Sequence, residues 1–181
     1  MNKLLVGITG ISTKTTRRCA QAIREHFNLE HINMRQPVIN MIASTMGREP
    51  LDLEYSIPGN QVIKSLNTSV HDLEITLAFS LRTLCKDFFI NEVKATQKRS
   101  RAGLNDSLFA GYLISGITSE HEANWLREQG GIVVHIHHYE STTPICGLQE
   151  KPGDITISTN GNTVQDAIAV IATNLNTAQA A

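Results

Sequence analysis

Between an apolar run, Leu4-Leu5-Val6-Gly7-Ile8, and a helical pattern lies a stretch dense in Gly, Ser and Thr: Gly7-Ile8-Thr9-Gly10-Ile11-Ser12-Thr13-Lys14-Thr15-Thr16. A strand, a turn of small residues and a helix is the layout that holds phosphate. Backbone N–H groups and a helix N-terminus converge on the anion, a Lys reaches the outer phosphates, and a Ser/Thr hydroxyl takes Mg²⁺. Gly7, Gly10, Ser12, Thr13, Lys14, Thr15 and Thr16 are therefore the candidate phosphate-binding residues. Their spacing approaches G-x-x-x-x-G-K-S/T without meeting it. Counted from Gly7, the second Gly falls on Ser12, the Lys on Thr13 and the Ser/Thr on Lys14. Counted back from Lys14-Thr15, the two glycines fall on Ile8 and Thr13. A β-branched Thr where positive φ is wanted strains the backbone by about 1–3 kcal/mol. Losing the Lys removes a charge that steadies the transferring phosphoryl group. A Gly/Thr-rich turn that merely starts a helix fits the same residues.

A second set of chemistry-bearing residues is His135, His137 and His138, with Glu140 near and Cys146 further on. His135 and His137 share one face of a strand, as a metal pair would. No further His/Asp pattern completes a site, so no metal site is expected. There is no G-x-S-x-G elbow for a Ser/His/Asp hydrolase. Cys19, Cys85 and Cys146 are odd in number and far apart, which speaks against a disulfide framework and for core cysteines in a reduced cytoplasm. Trp125, between Glu122 and Arg127, reads as a packing residue, and the basic stretch Lys94 to Arg101 as a solvated helix face.

The composition suits one soluble domain over residues 1–181: 41% hydrophobic and 18% charged residues exclude a disordered or collagen-like chain. Sixteen Lys+Arg against 17 Asp+Glu leave a formal charge of −1, so no global basic field holds nucleic acid by its phosphates. No apolar run reaches the roughly 18–20 residues of a membrane span. Met1-Asn2-Lys3-Leu4-Leu5-Val6 turns to Gly and Thr too soon for a signal peptide.

The elements that must position these residues follow from periodicity. Leu4 to Ile8 reads as a buried strand, and Ala20, Ile23 and Phe27 mark a helix over 14–27. Pro37 opens a second helix that carries Val38, Met41, Ile42 and Met46 and stops near Gly47. Residues 48–68, with Pro50, Pro58 and Gly59, read as an irregular excursion. Val70, Leu73, Leu77, Leu81 and Leu84 set a helical stretch over 69–100, broken near Asp87. The last third alternates: strand Leu108–Ile114, a helix begun by Ser119 with Glu122 at capping-box spacing and ended by Gly130-Gly131, strand Ile132–Ile136, strand Asp154–Ile157, and a closing helix through Val164, Ile168, Ile171 and Leu175. Such alternation predicts an α/β fold, a mainly parallel sheet with helices on both faces.

The segment from Ile114-Ser115-Gly116-Ile117-Thr118 through Glu122-Ala123, Gly130-Gly131 and His135-Ile136 resembles the deoxynucleoside monophosphate kinases of tailed bacteriophages. That family carries a strand ending in Asp-Val-Arg, then Asn-Glu-Ala, a helix, Gly-Gly and an apolar strand. Asp154-Ile155-Thr156-Ile157 with Asn160-Gly161 resembles the family's closing segment, Met34-Arg35-Gln36-Pro37 the start of its second helix, and Gly7 with Thr15-Thr16 its loop. The resemblance implies a P-loop nucleoside-monophosphate-kinase-like domain, a homodimer, and ATP and Mg²⁺ as cofactors if the chain is active.

The departures fall on chemical positions. Gly116-Ile117-Thr118 stands where the family has Asp-Val-Arg, and His121 where it has Asn. The family's nucleotide-site helix maps onto His71 through Thr83, where His71, Ile75, Ala78, Phe79, Ser80 and Thr83 replace Arg, Gln, Gly, Thr, Glu and Arg. His137-His138 replaces an Arg pair, and Thr143-Pro144-Ile145-Cys146 replaces His-x-Ser-Glu. One well-placed Arg is worth about 10³–10⁵ in phosphoryl-transfer rate. The expectation is a degenerate kinase-like protein with transfer lost or very weak, binding a nucleotide weakly or a protein partner in the cytoplasm, the host's if phage-encoded. Two other readings stand: an active ATP-dependent kinase using Ser12, Lys14 and Thr15, on an unusual or modified nucleotide, and a phage-type protein that inhibits a host enzyme.

Overall fold

The computed structural model describes residues 3–9, 14–55, 61–63, 66–103, 108–137, 148–158, 165 and 168–173. They form two compact units, one of Met1–Asn33 with Val93–Ala181 and one of Met34–Glu92.

The first unit is built on five strands, all parallel: β1 (Leu4–Thr9), β2 (Leu29–Asn33), β5 (Gly111–Ile117), β6 (Ile132–His137) and β7 (Ile155–Ser158). Their order is β2-β5-β1-β6-β7, which puts β1 at the centre with β5 beside it, within the mainly parallel sheet that the alternating pattern predicted. A central parallel strand is buried on both faces, and that is why Leu4 to Ile8 reads as an unbroken apolar run. Val6 and Ile8 pack with Cys19, Ala20 and Ile23 of α1 (Lys14–Phe27) and with Ile171 of the closing helical residues 168–173. Gly7 turns to the other face, beneath α6 (Glu120–Glu128). A Cβ on Gly7 would overlap a Leu126 methyl and stand 2.6 Å from Ile117 Cδ1. Gly7→Ala is expected to lower stability by about 1–3 kcal/mol, read by urea unfolding. An unchanged midpoint would mean that Leu126 and Ile117 swing aside freely.

Two strands differ from expectation. The strand expected at 108–114 runs Gly111–Ile117, because the residues before it serve a turn: the Asn28 side chain donates to Leu108 O at 2.6 Å and Ala110 N to Asn28 O at 2.9 Å. Strand β2 carried no prediction, since its buried residues, Leu29 and Ile32, lie three apart and break the period of two.

The second unit holds α2 (Gln36–Met46), α3 (Pro50–Tyr55), a hairpin of β3 (Val62–Ile63) and β4 (Thr68–Ser69), and α4 (Val70–Leu84). The excursion expected over 48–68 is thus partly ordered: Pro50 starts a short helix, and Asn67 supplies the positive φ of 48° in the hairpin. Helix α2 ends where expected, with Gly47 at φ 62° and the Arg48 N–H bonded to Ala43 O at 2.9 Å. Arg35 Nε lies 3.0 Å from Glu74 of α4, an ion pair within this unit. Helix α5 (Phe88–Ala102) follows α4 after a break at residues 85–87, close to the one expected at Asp87. Lys94, Lys98, Arg99 and Arg101 on α5 are exposed, the solvated face anticipated for this basic stretch. Among the described residues no helix is long and apolar enough to cross a membrane.

Candidate functional site

In open α/β sheets a ligand crevice forms at the carboxyl edge where neighbouring connections diverge. Strand β1 continues through α1 to β2, while β5 continues through α6 to β6 on the opposite side of β1. The carboxyl end of β1 is therefore the switch point of this sheet. β1 ends at Thr9 and α1 begins at Lys14. Gly7 lies two residues inside the strand, paired with Ile114 and Val133. Gly10, Ser12 and Thr13 lie outside the described residues, and Lys14 and Thr15 are described only as the first helical residues of α1. Thr16, in the first turn, is buried.

Beside this edge the structure assembles a chain of polar groups that the sequence did not announce. Thr9 and His135 are paired across β1 and β6, both about 4% exposed, and Thr9 Oγ1 lies 3.3 Å from His135 Nδ1. His135 Nε2 is 2.9 Å from Asp154 Oδ2, just before β7. Arg127, at the end of α6, grips the same carboxylate with two bonds, Nε to Oδ1 at 3.0 Å and Nη2 to Oδ2 at 2.6 Å. Its Nη1 donates to Glu120 and Asn124, and Nη2 also to Gln149 O. Lys151 closes the group with its ammonium 2.8 Å from Glu120 and 2.7 Å from Asn124.

The electrostatics set the proton positions. Burial alone would push the Asp154 pKa up, but hydrogen bonds from Arg127, the Lys151 N–H and His135, with the Arg127 charge, hold it below the usual aspartate range. Glu120 is likewise held low: hydrogen bonds from Lys151, the Gln149 N–H and Arg127 outweigh its desolvation. The Arg127 pKa is raised, chiefly by its bonds to Asp154. An ionised Asp154 only accepts, so His135 Nε2 carries a proton toward it, while the single proton of the Thr9 hydroxyl has two acceptors within reach, His135 Nδ1 at 3.3 Å and Val134 O at 3.4 Å. Hydroxyl, imidazole and carboxylate in series match the layout of a hydrolytic triad. The burial of Thr9 and His135 makes the chain a brace on the exit of β1 instead of an exposed nucleophile.

On β2 and β5, His31 Nε2 and Ser115 Oγ are 2.7 Å apart, and burial with the nearby Arg24 charge lowers the His31 pKa. The expected capping box is present. Glu122 N bonds Ser119 Oγ at 3.3 Å, and Glu122 Oε2 accepts from the N–H groups of Thr118 and Ser119, both at 3.1 Å. The carboxylate nearest the end of β5 is therefore engaged as a helix cap. Trp125 is buried, with Lys94 Nζ 5.9 Å from its ring centroid, in keeping with a packing role. Cys19 sits in the core and Cys85 is exposed. His138, Glu140 and Cys146 lie outside the described residues, and no group of three metal-ligating side chains occurs among those described.

The polar chain escaped sequence reasoning because Thr9, Arg127, His135 and Asp154 share no local motif. Of its members the sequence had singled out only His135, as half of a His pair on one strand face. No protein-family model matches the chain, and no curated protein matches it either.

Proposed function

We propose that this chain is a deoxynucleoside monophosphate kinase-like protein in which phosphoryl transfer is lost or very weak, and that it acts by binding a nucleotide or its phosphate groups at the exit of β1. The observation that carries the reading is the saturation of the charges beside that exit. Nε, Nη1 and Nη2 of Arg127 are all engaged by Asp154, Glu120, Asn124 and Gln149, and the Glu122 carboxylate caps α6. A guanidinium gripped by two carboxylates is not available to spread charge from a transferring phosphoryl group. Backbone N–H groups at the start of a 14-residue helix still favour an anion, and Lys14 adds a positive charge there. Thr13 brings a side chain where glycine would let a phosphate approach.

Calorimetry with ATP and with each deoxynucleoside monophosphate tests this. Binding is expected near the millimolar range, where about 4 kcal/mol suffices, and with little help from Mg²⁺. Lys14→Ala should weaken it by at least about tenfold, the lower share of one charge-assisted contact. Tight, Mg²⁺-dependent ATP binding would refute the degenerate site. No binding by either protein would remove the nucleotide from the account.

A further inference from the structure

A second hydroxyl–imidazole pair stands in this sheet, and unlike Thr9 and His135 it is open to solvent. His31 lies on β2, the edge strand, and Ser115 on β5 beside it. His31 is paired with Leu113, two residues before Ser115, so its ring leans along β5 and brings Nε2 2.7 Å from Ser115 Oγ. His31 is exposed and Ser115 half-buried, which leaves the hydroxyl within reach of a small molecule. Just past Ser115 the strand bulges. Ile8 pairs with Ser115 and Thr9 with Ile117, so Gly116 is the extra residue, at φ 79°. A bulge bends its strand and re-aims the side chains beside it.

A hydroxyl becomes a nucleophile when a base within hydrogen-bond reach takes its proton. Imidazole does this only when neutral. Partial desolvation and the nearby Arg24 charge lower the His31 pKa, which keeps the ring neutral at neutral pH. With its one proton on Nδ1, the neutral ring offers Nε2 to the Ser115 hydroxyl. Asn33 is level with Ser115 on β2 and shares the face of His31 by the period of two. An amide there can meet the negative charge that develops on a carbonyl oxygen. The positive charge of Arg24 favours a substrate that is itself an anion.

We infer that Ser115 and His31 form a catalytic dyad that hydrolyses small carboxylic esters bearing a negative charge. Ser115 Oγ bonds to the carbonyl carbon as its proton passes to His31 Nε2. The ester C–O bond breaks, and the alcohol leaves with that proton. Water then attacks the acyl-serine and gives a proton to His31, and the acid leaves as that proton returns to Ser115 Oγ. The reaction needs neither nucleotide nor Mg²⁺. Two measurements on the full chain test it. A fluorophosphonate, which traps nucleophilic serines with loss of fluoride, should add to Ser115, as read by peptide mass mapping. Hydrolysis of para-acetoxybenzoate, followed by release of para-hydroxybenzoate, should fall at least about 10²-fold in Ser115→Ala and in His31→Ala. Circular dichroism should show both variants folded, and the adduct on the wild-type chain depends on neither. Arg24→Gln should cut the preference for para-acetoxybenzoate over neutral phenyl acetate at least about twofold. No adduct on Ser115, an adduct formed as fast in His31→Ala, or hydrolysis indifferent to both substitutions each overturns the dyad. A preference unchanged in Arg24→Gln overturns the anionic substrate.

Discussion

Incubated with ATP, Mg²⁺ and any of the four common deoxynucleoside monophosphates, the protein is expected to form diphosphate at least about 10³-fold more slowly than the 1–100 s⁻¹ of ordinary kinases. Phosphoryl transfer rests on positioning and on charge placed where the transition state develops it. Strand β5 leads into Gly116-Ile117-Thr118, which offers neither carboxylate nor guanidinium. In the sequence, the positions from His71 to Thr83 that the resemblance aligns with the family's nucleotide-site helix include Ile75, Ala78, Phe79 and Ser80, none of them charged. Arg127 is already held by two carboxylates. Removing a single such Arg costs about 10³–10⁵ in rate. A coupled assay that reads nucleoside diphosphate decides the matter. Turnover near one per second with any of the four substrates would establish an active kinase.

Asp154→Ala is expected to destabilise the protein by about 3–5 kcal/mol, because it strands a partly buried guanidinium, the buried His135 ring and the Lys151 N–H together. In a chain of this size that lowers the melting temperature by roughly 10 °C. The pH dependence has a definite sign. The folded pKa of Asp154 is depressed, so its contribution is complete above the ordinary aspartate value of about 3.9. It is lost as pH falls through the lower, folded value. The stability gap between wild type and Asp154→Ala should therefore be full at pH 7 and close only below about pH 4. Asp154→Asn, which keeps an acceptor for one of these donors, should lose less. A gap under about 1 kcal/mol would show that the Arg127–Asp154–His135 chain carries little net stability, and a gap that stays constant into acid would show that its contribution does not rest on an ionised Asp154.

Much of the local structure was legible because its signals act within one or two turns of chain. Helix α1 occupies 14–27, where Ala20, Ile23 and Phe27 marked it, and Gly47 ends α2 in the left-handed conformation its position suggested. Ser119 and Glu122 make the reciprocal bonds their spacing implied. Each of these depends on residues three or four apart, so the physics was present in the string of letters. Strand β2 was not legible, because an edge strand buried on alternate sides at Leu29 and Ile32 has no regular period. The boundary of β5 shifted by three residues, because Leu108 and Ala110 bond to Asn28, some 80 residues away.

The candidate phosphate residues could be named from composition alone, since small residues between a strand and a helix are a local pattern. The groups beside them could not. Thr9 meets His135 across 126 positions because β1 pairs with β6 in one register. A slip of a single residue would turn either side chain to the opposite face. Asp154 then reaches His135, and Arg127 reaches Asp154, only because β7 lies beside β6 and α6 packs over that face. By itself the sequence determined most of the helices, the caps at Gly47 and Ser119 and the α/β alternation, because these are decided by neighbours along the chain. The strand order, the register and the engagement of Arg127 by Asp154 were left to the tertiary structure, because they depend on which distant backbone groups pair and which buried charges that pairing brings together.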